Sequence, residues 1–170
     1  MRPRLIEPAT PAPAPQSVWR HPGPPHVEAT RRHVVVVFAG EVIADSRHAL
    51  RVLELDRLPA FYFPPGDCRR ACLIATPDET FCEWKGVASH FDAVASGRVA
   101  HRAAWSYADP AARYALLAGR VGVDPARVDG CWVDGEYVEI DDGPSNQVSL
   151  SRWYARESAV PIEPVNATTR

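Results

Sequence analysis

The sequence predicts a mainly β domain, built either as a small antiparallel barrel or as two curved sheets with one or two short helices. Three observations carry this. Three apolar stretches fold back at Ala39-Gly40, Ser96-Gly97 and Asp134-Gly135, dipeptides that favour tight hairpin turns. Only one segment, "DPAARYALLAGRVGV", has helical character. The repeated strand–helix crossovers that a parallel sheet requires do not occur.

Taken in order, residues 1–30 form a Pro-rich leader holding eight of the seventeen prolines. Proline fixes φ and removes a backbone donor, so such a run favours extended, unpaired chain. Its first 17 residues offer few large apolar groups to bury. Trp19 lies within it. Residues 31–140 form the folded domain. "HVVVVFAGEVIADS" is a hairpin of two β-branched runs. "SRHALRVLEL" fits either a helical turn or a strand. "AFYFPP" is a short aromatic strand stopped by Pro64 and Pro65. "SHFDAVASGRVAHRAAWSY" alternates about Ser96-Gly97, and "RVDGCWVDGEYVEI" about Asp134-Gly135. The expected helix spans residues 110–120, entered by Asp109-Pro110 and left at Gly119 or Gly122. Residues 141–170 are a C-terminal extension, in which Val148 to Glu157 can form one strand or helix.

Composition excludes several function classes. The net charge is -2, which disfavours nonspecific binding of nucleic acid or anionic membrane. No apolar run approaches the ~20 residues of a membrane span. The N-terminus lacks the apolar stretch of a signal peptide, and a cytoplasmic location is expected. Cys68, Cys72, Cys82 and Cys131 contain no CxxC pair. They read as buried thiols rather than a zinc site. No metal or cofactor is expected. The phosphate-cradling GxxxxGK[ST] and the GxSxG elbow are both absent from the chain. Glu41 and Asp45, four apart on an extended stretch, read as one-sided carboxylates, more readily solvated than catalytic.

"VVVVFAGEVIADSRHALRVLE", "FYFP", "TFCEWKGVASHF", "AAWSYADP" and "RVDGCWVDGEYVE" together resemble, in that order, the DUF427 family of bacterial domains. The resemblance covers roughly residues 31–140. It implies a compact, mostly β domain with a cleft suited to a small molecule, and it supplies no established reaction. The family has also carried a nucleotidyltransferase-like name, but the chain shows no carboxylate cluster for the Mg²⁺ such chemistry needs. Cys82, Lys85 and Gly86 resemble the family's Cys-x-x-Lys-Gly signature. His90 stands where an aromatic is usual.

The chain's one lysine, Lys85, lies among eighteen arginines. Arginine would serve at a generic surface position, so the ammonium, a compact point charge, points to a ligand contact. The bland alternative is a solvated turn lysine. Gly86 permits a sharp turn or a close approach. Trp84 and Phe91 are candidate walls. Trp105 and Tyr107 alternate onto one strand face and suit a pocket floor, as does Tyr62, which faces oppositely to Phe61 and Phe63. Lone histidines such as His90 and His101 are more often structural than catalytic. The expected ligand-binding set is therefore Lys85, Gly86, Tyr62, Trp84, Trp105, Tyr107 and His90, and its partner a small molecule carrying an anion or a carbonyl. Two alternatives remain: an enzyme acting on a small metabolite through Lys85 or His90, and an adaptor binding a protein through the leader and an aromatic surface. Oligomeric state is not legible.

Overall fold

The computed structural model describes residues 23–54 and 59–138. Eleven strands run in chain order: β1 (His26–Ala29), β2 (Val34–Phe38), β3 (Glu41–Ser46), β4 (Leu50–Leu53), β5 (Ala60–Phe63), β6 (Leu73–Cys82), β7 (Gly86–Ala95), β8 (Arg98–Ser106), β9 (Val121–Val123), β10 (Gly130–Val133) and β11 (Glu136–Tyr137). All pair antiparallel. They form two sheets that do not close into a barrel, a seven-stranded one in the order β1-β4-β5-β9-β8-β7-β6 and a four-stranded one in the order β11-β10-β2-β3. No helix among the described residues is long and apolar enough to cross a membrane.

The three turn dipeptides close hairpins as expected. Both residues of each carry positive φ, from 45° at Ser96 to 82° at Gly135. That is the backbone a two-residue hairpin turn demands, and Gly takes the second position at each. "LRVL" resolves as a strand, with all four residues buried. β1 lies inside the segment that composition assigned to the leader. It starts once the proline run ends at Pro25, and it pairs residue for residue with β4. There Glu28 opposes Arg51 in a largely buried ion pair. Residues 1–22 and 139–170, with Trp19 and the Val148–Glu157 run, lie outside the described residues.

The helix expected over 110–120 is not one. Two 3₁₀ turns share Ala112–Leu117, with Tyr114 non-helical between them. The cause is closure. Tyr107 bridges Ala118, and the amide of Ala111 donates to the carbonyl of Lys85 at 3.0 Å. The segment must leave and return within one strand spacing, which leaves no room for a run of α turns. Asp109 does not cap it, for Ala111 holds the capping position and no side chain caps the turn.

Side-chain alternation then separates two apolar layers. Phe61, Phe63, Ala93, Ala103, Val121 and Val123 of the large sheet meet Val34, Val36, Phe38, Ile43 and Val133 of the small one. Each large side chain buried there contributes roughly 1.5–3 kcal/mol. The opposite face of the large sheet carries a second cluster of Leu50, Val52, Tyr62, Ala88 and Tyr107, roofed by Tyr114 and Leu117. The cysteines divide between these layers, Cys68, Cys72 and Cys131 in the first and Cys82 against the second. Burial pushes the thiols of Cys68 and Cys131 up, to about 11 and about 12. β6 is one edge of the large sheet, opposite β1. Its pairing with β7 is interrupted between Ala75 and Glu79, around Pro77.

Candidate functional site

Lys85 sits at the tip of the β6–β7 hairpin, where a lysine would ordinarily be solvated. Here it is 5 % exposed. Its ammonium pairs with the carboxylate of Glu54, at the end of β4, and lies 5.8 Å from the ring centroid of Tyr107. The hairpin is bent inward by Gly86, whose φ of +104° only glycine adopts without strain. A Cβ at Gly86 would meet the carbonyl of Asp109 at 3.6 Å. The close approach expected at Gly86 is therefore to the 109–111 backbone.

Behind Lys85 lies an aromatic row set by strand register. Tyr62 on β5, Gly122 on β9 and Trp105 on β8 are successive ladder partners. With no side chain at Gly122, the indole of Trp105 lies over it and donates from Nε1 to the Tyr62 hydroxyl at 2.8 Å. The two rings meet edge to face, with centroids 5.9 Å apart. Tyr62 also stacks on Tyr107 at 6.4 Å. Burial raises the Tyr62 hydroxyl far above the usual phenol range. The Trp105 donor opposes this, and the Tyr107 phenol and Glu54 carboxylate add to it. Burial likewise raises Tyr114, with Glu54 adding to the effect. Glu54 thus stands among Lys85 and two phenols. The phenol of Tyr114 donates to the carbonyl of Pro25 at 3.1 Å.

The structure brings together Lys85, Tyr107, Tyr62 and Trp105 from the expected set. Trp84 is not buried with them, being 44 % exposed. Phe91 is no wall either: it alternates onto the same face of β7 as Ala93 and Ala95 and packs between the sheets. His90 faces Trp105 across the β7–β8 ladder, and its imidazole turns to Thr80 on β6, with Nε2 2.8 Å from the hydroxyl. Burial, then the Arg102 guanidinium, holds it below the usual histidine range. His101 is a surface residue bonded to Asp92. Glu41 and Asp45 do not act as a pair. Ile43 is left out of register between Val42 and Ala44, and the carboxylates take separate partners, Arg69 and His33. Among the described residues no three His, Cys, Asp or Glu side chains converge as metal ligands would.

Sequence reasoning missed Glu54, which lies 31 positions from its partner. Its one local signal is an acidic residue directly ending the buried strand "LRVL". Tyr114 was hidden inside the expected helix.

No curated protein matches the chain. A family model described as "Domain of unknown function (DUF427)" matches residues 26–134, from the first residue of β1 to the β10–β11 turn. That span takes in well over half of the chain and every strand but β11, and the protein belongs to the DUF427 family.

Proposed function

We propose that the protein binds a small polar molecule at the Lys85–Glu54 pair, against the rings of Tyr62, Trp105 and Tyr107. The observation that carries this is the burial of the chain's one lysine at a hairpin tip. Desolvating an ammonium and a carboxylate costs several kcal/mol per ion in an apolar setting. A turn that only had to close would have left the side chain in water.

Glu54 narrows the ligand class. Its carboxylate already balances Lys85, so an incoming anion meets a like charge. A neutral molecule with a carbonyl oxygen can accept from the ammonium while the pair stays intact, its flat body against the half-buried Trp105 at the end of the aromatic row. The preferred ligand is therefore a neutral carbonyl compound rather than a simple anion. Four unpaired thiols suit a reducing compartment, and we place the protein in the cytoplasm.

A second reading, an enzyme acting on such a carbonyl compound, draws support from the same contact. Glu54 is within proton-transfer reach of Lys85, as an acid–base partner must be.

The test is a calorimetric and thermal-shift screen of small amides, ketones and aldehydes beside carboxylates and phosphates. The expected result is a neutral carbonyl ligand whose affinity falls roughly 10- to 100-fold in Lys85→Met, from the ~1.5–3 kcal/mol of a charge-assisted hydrogen bond. Equal affinity for the parent and Lys85→Met removes the site from Lys85. A response to anions alone overturns the ligand class.

A further inference from the structure

Across Trp105 from Tyr62, the same sheet face carries a second polar group that the Lys85 pair does not use. His90 is the ladder partner of Trp105 and is 9 % exposed. Its Nε2 lies 2.8 Å from the Thr80 hydroxyl and 3.5 Å from the guanidinium of Arg102. A guanidinium only donates. Nε2 therefore presents its lone pair, and the hydrogen sits on Nδ1. Nδ1 is fully buried and has no hydrogen-bond partner. A buried donor without an acceptor is costly and uncommon in a folded core.

Arg102 reaches this position through an unusual backbone. Its φ is +51°, in the left-handed region that β strands avoid. It falls in the stretch of β8 where pairing with β7 is interrupted, and its amide donates to Asp92 Oδ1 at 2.8 Å. The other oxygen of Asp92 goes to His101. Arg127, close by, is held by Asp124. The Arg102 guanidinium, by contrast, has no carboxylate partner among the described residues. Strain of this kind persists where the surroundings over-determine it, as they do at binding sites.

We propose that Arg102, Thr80 and His90 form an oxyanion-binding site beside the interruption in β7–β8 pairing, taking the carboxylate or phosphate group of a small molecule. Arg102 supplies the charge and a planar pair of donors. Thr80 supplies a hydroxyl that can turn from Nε2 to the anion. His90, protonated at Nε2 as the anion binds, then donates to the bound oxygen instead of accepting from Arg102. The site differs in ligand charge from the Lys85 pair and stands independently of it.

The experiment follows the His90 imidazole of the full chain by long-range ¹H–¹⁵N NMR during titration with inorganic phosphate and, separately, benzoate. Arg102, Asp78 and Arg127 are the charged groups acting on this ring. A bound anion offsets Arg102 and favours the imidazolium, so the His90 midpoint moves up. The anion affinity falls roughly 10- to 100-fold in Arg102→Gln, is partly kept in Arg102→Lys, and is unchanged in Lys85→Met. Phosphate acting alone assigns the site to phosphates; benzoate acting alone assigns it to aromatic carboxylates. A His90 midpoint indifferent to both anions, or moved equally in Arg102→Gln, overturns the proposal.

Discussion

Gly122→Ala tests whether the aromatic row depends on a missing side chain. Gly122 is not in the positive-φ region, so alanine meets no backbone obstacle. Its Cβ would lie 2.6 Å from Trp105 Cε2 and 2.9 Å from Cζ2 and Nε1. Those atoms belong to a rigid indole held against Tyr62, and the ring must shift as a body. Overpacking of this kind costs roughly 1–3 kcal/mol. The shift also breaks the Nε1–Tyr62 bond, about 1 kcal/mol net. Loss of glycine's unfolded-state freedom returns about 0.4–1 kcal/mol. The net destabilisation is roughly 2 kcal/mol, or a fall in Tm of about 8–12 °C for a domain of this size. Gly66→Ala is the matched control, since Gly66 has no positive φ and nothing within 4 Å of its Cβ. It should be neutral or stabilising by up to about 1 kcal/mol. Scanning calorimetry and urea melts read both variants. Equal melting temperatures for the two alanines would refute the reasoning, as would a Gly122→Ala protein whose tryptophan fluorescence matches the parent.

Three further outcomes are expected. Glu54→Gln should destabilise more than Lys85→Met, because it leaves the more buried charge without its partner (side-chain exposure 6 % for Lys85 against 22 % for Glu54); urea midpoints in the reverse order would contradict this. Tyr114→Phe removes the bond to the Pro25 carbonyl and should cost about 1 kcal/mol, with hydrogen exchange quickened in β1; unchanged exchange there would mean that β1 is held by β4 alone. His90 is depressed below its ordinary 6.5, so the unfolded chain takes up the proton first. The stability this ring contributes is complete above pH 6.5 and is lost as the pH falls below it. A His90→Phe protein should show a flatter stability profile between about pH 7 and about pH 5, and parallel profiles would rule out the assignment.

The legible parts of the fold were those written in local chemistry. Turn dipeptides such as Ser96-Gly97 announce their backbone, and strict alternation put Phe61 and Phe63 on one face and Tyr62 on the other. The clustering of Tyr62, Trp105 and Tyr107 follows from that alternation. β6 was not legible, since "TPDET" is polar and contains a proline. It is a strand because β7 offers it a partner, at an edge where Pro77 costs no ladder bond. The 110–120 segment carried helical residues but had its ends pinned by Tyr107 and Lys85, and tertiary closure outweighed propensity. Glu54 and Arg102 were illegible for a different reason. The first depends on a long-range pairing, the second on a bulge that redirects one side chain, and neither leaves a periodic trace.

A solitary lysine buried in a hairpin also makes the folded protein its own reporter. A lysine-specific protease has one peptide bond to cut in the whole chain, Lys85–Gly86, and the bond is inaccessible until the β6–β7 tip swings away from Glu54. When opening and closing are fast relative to cleavage, the cutting rate measures the population of the opened hairpin. Two fragments, split in the middle of the domain, count those openings without any label. A molecule that settles against Lys85 would slow the cut in proportion to its occupancy, which offers a means of finding ligands that requires no knowledge of what they do.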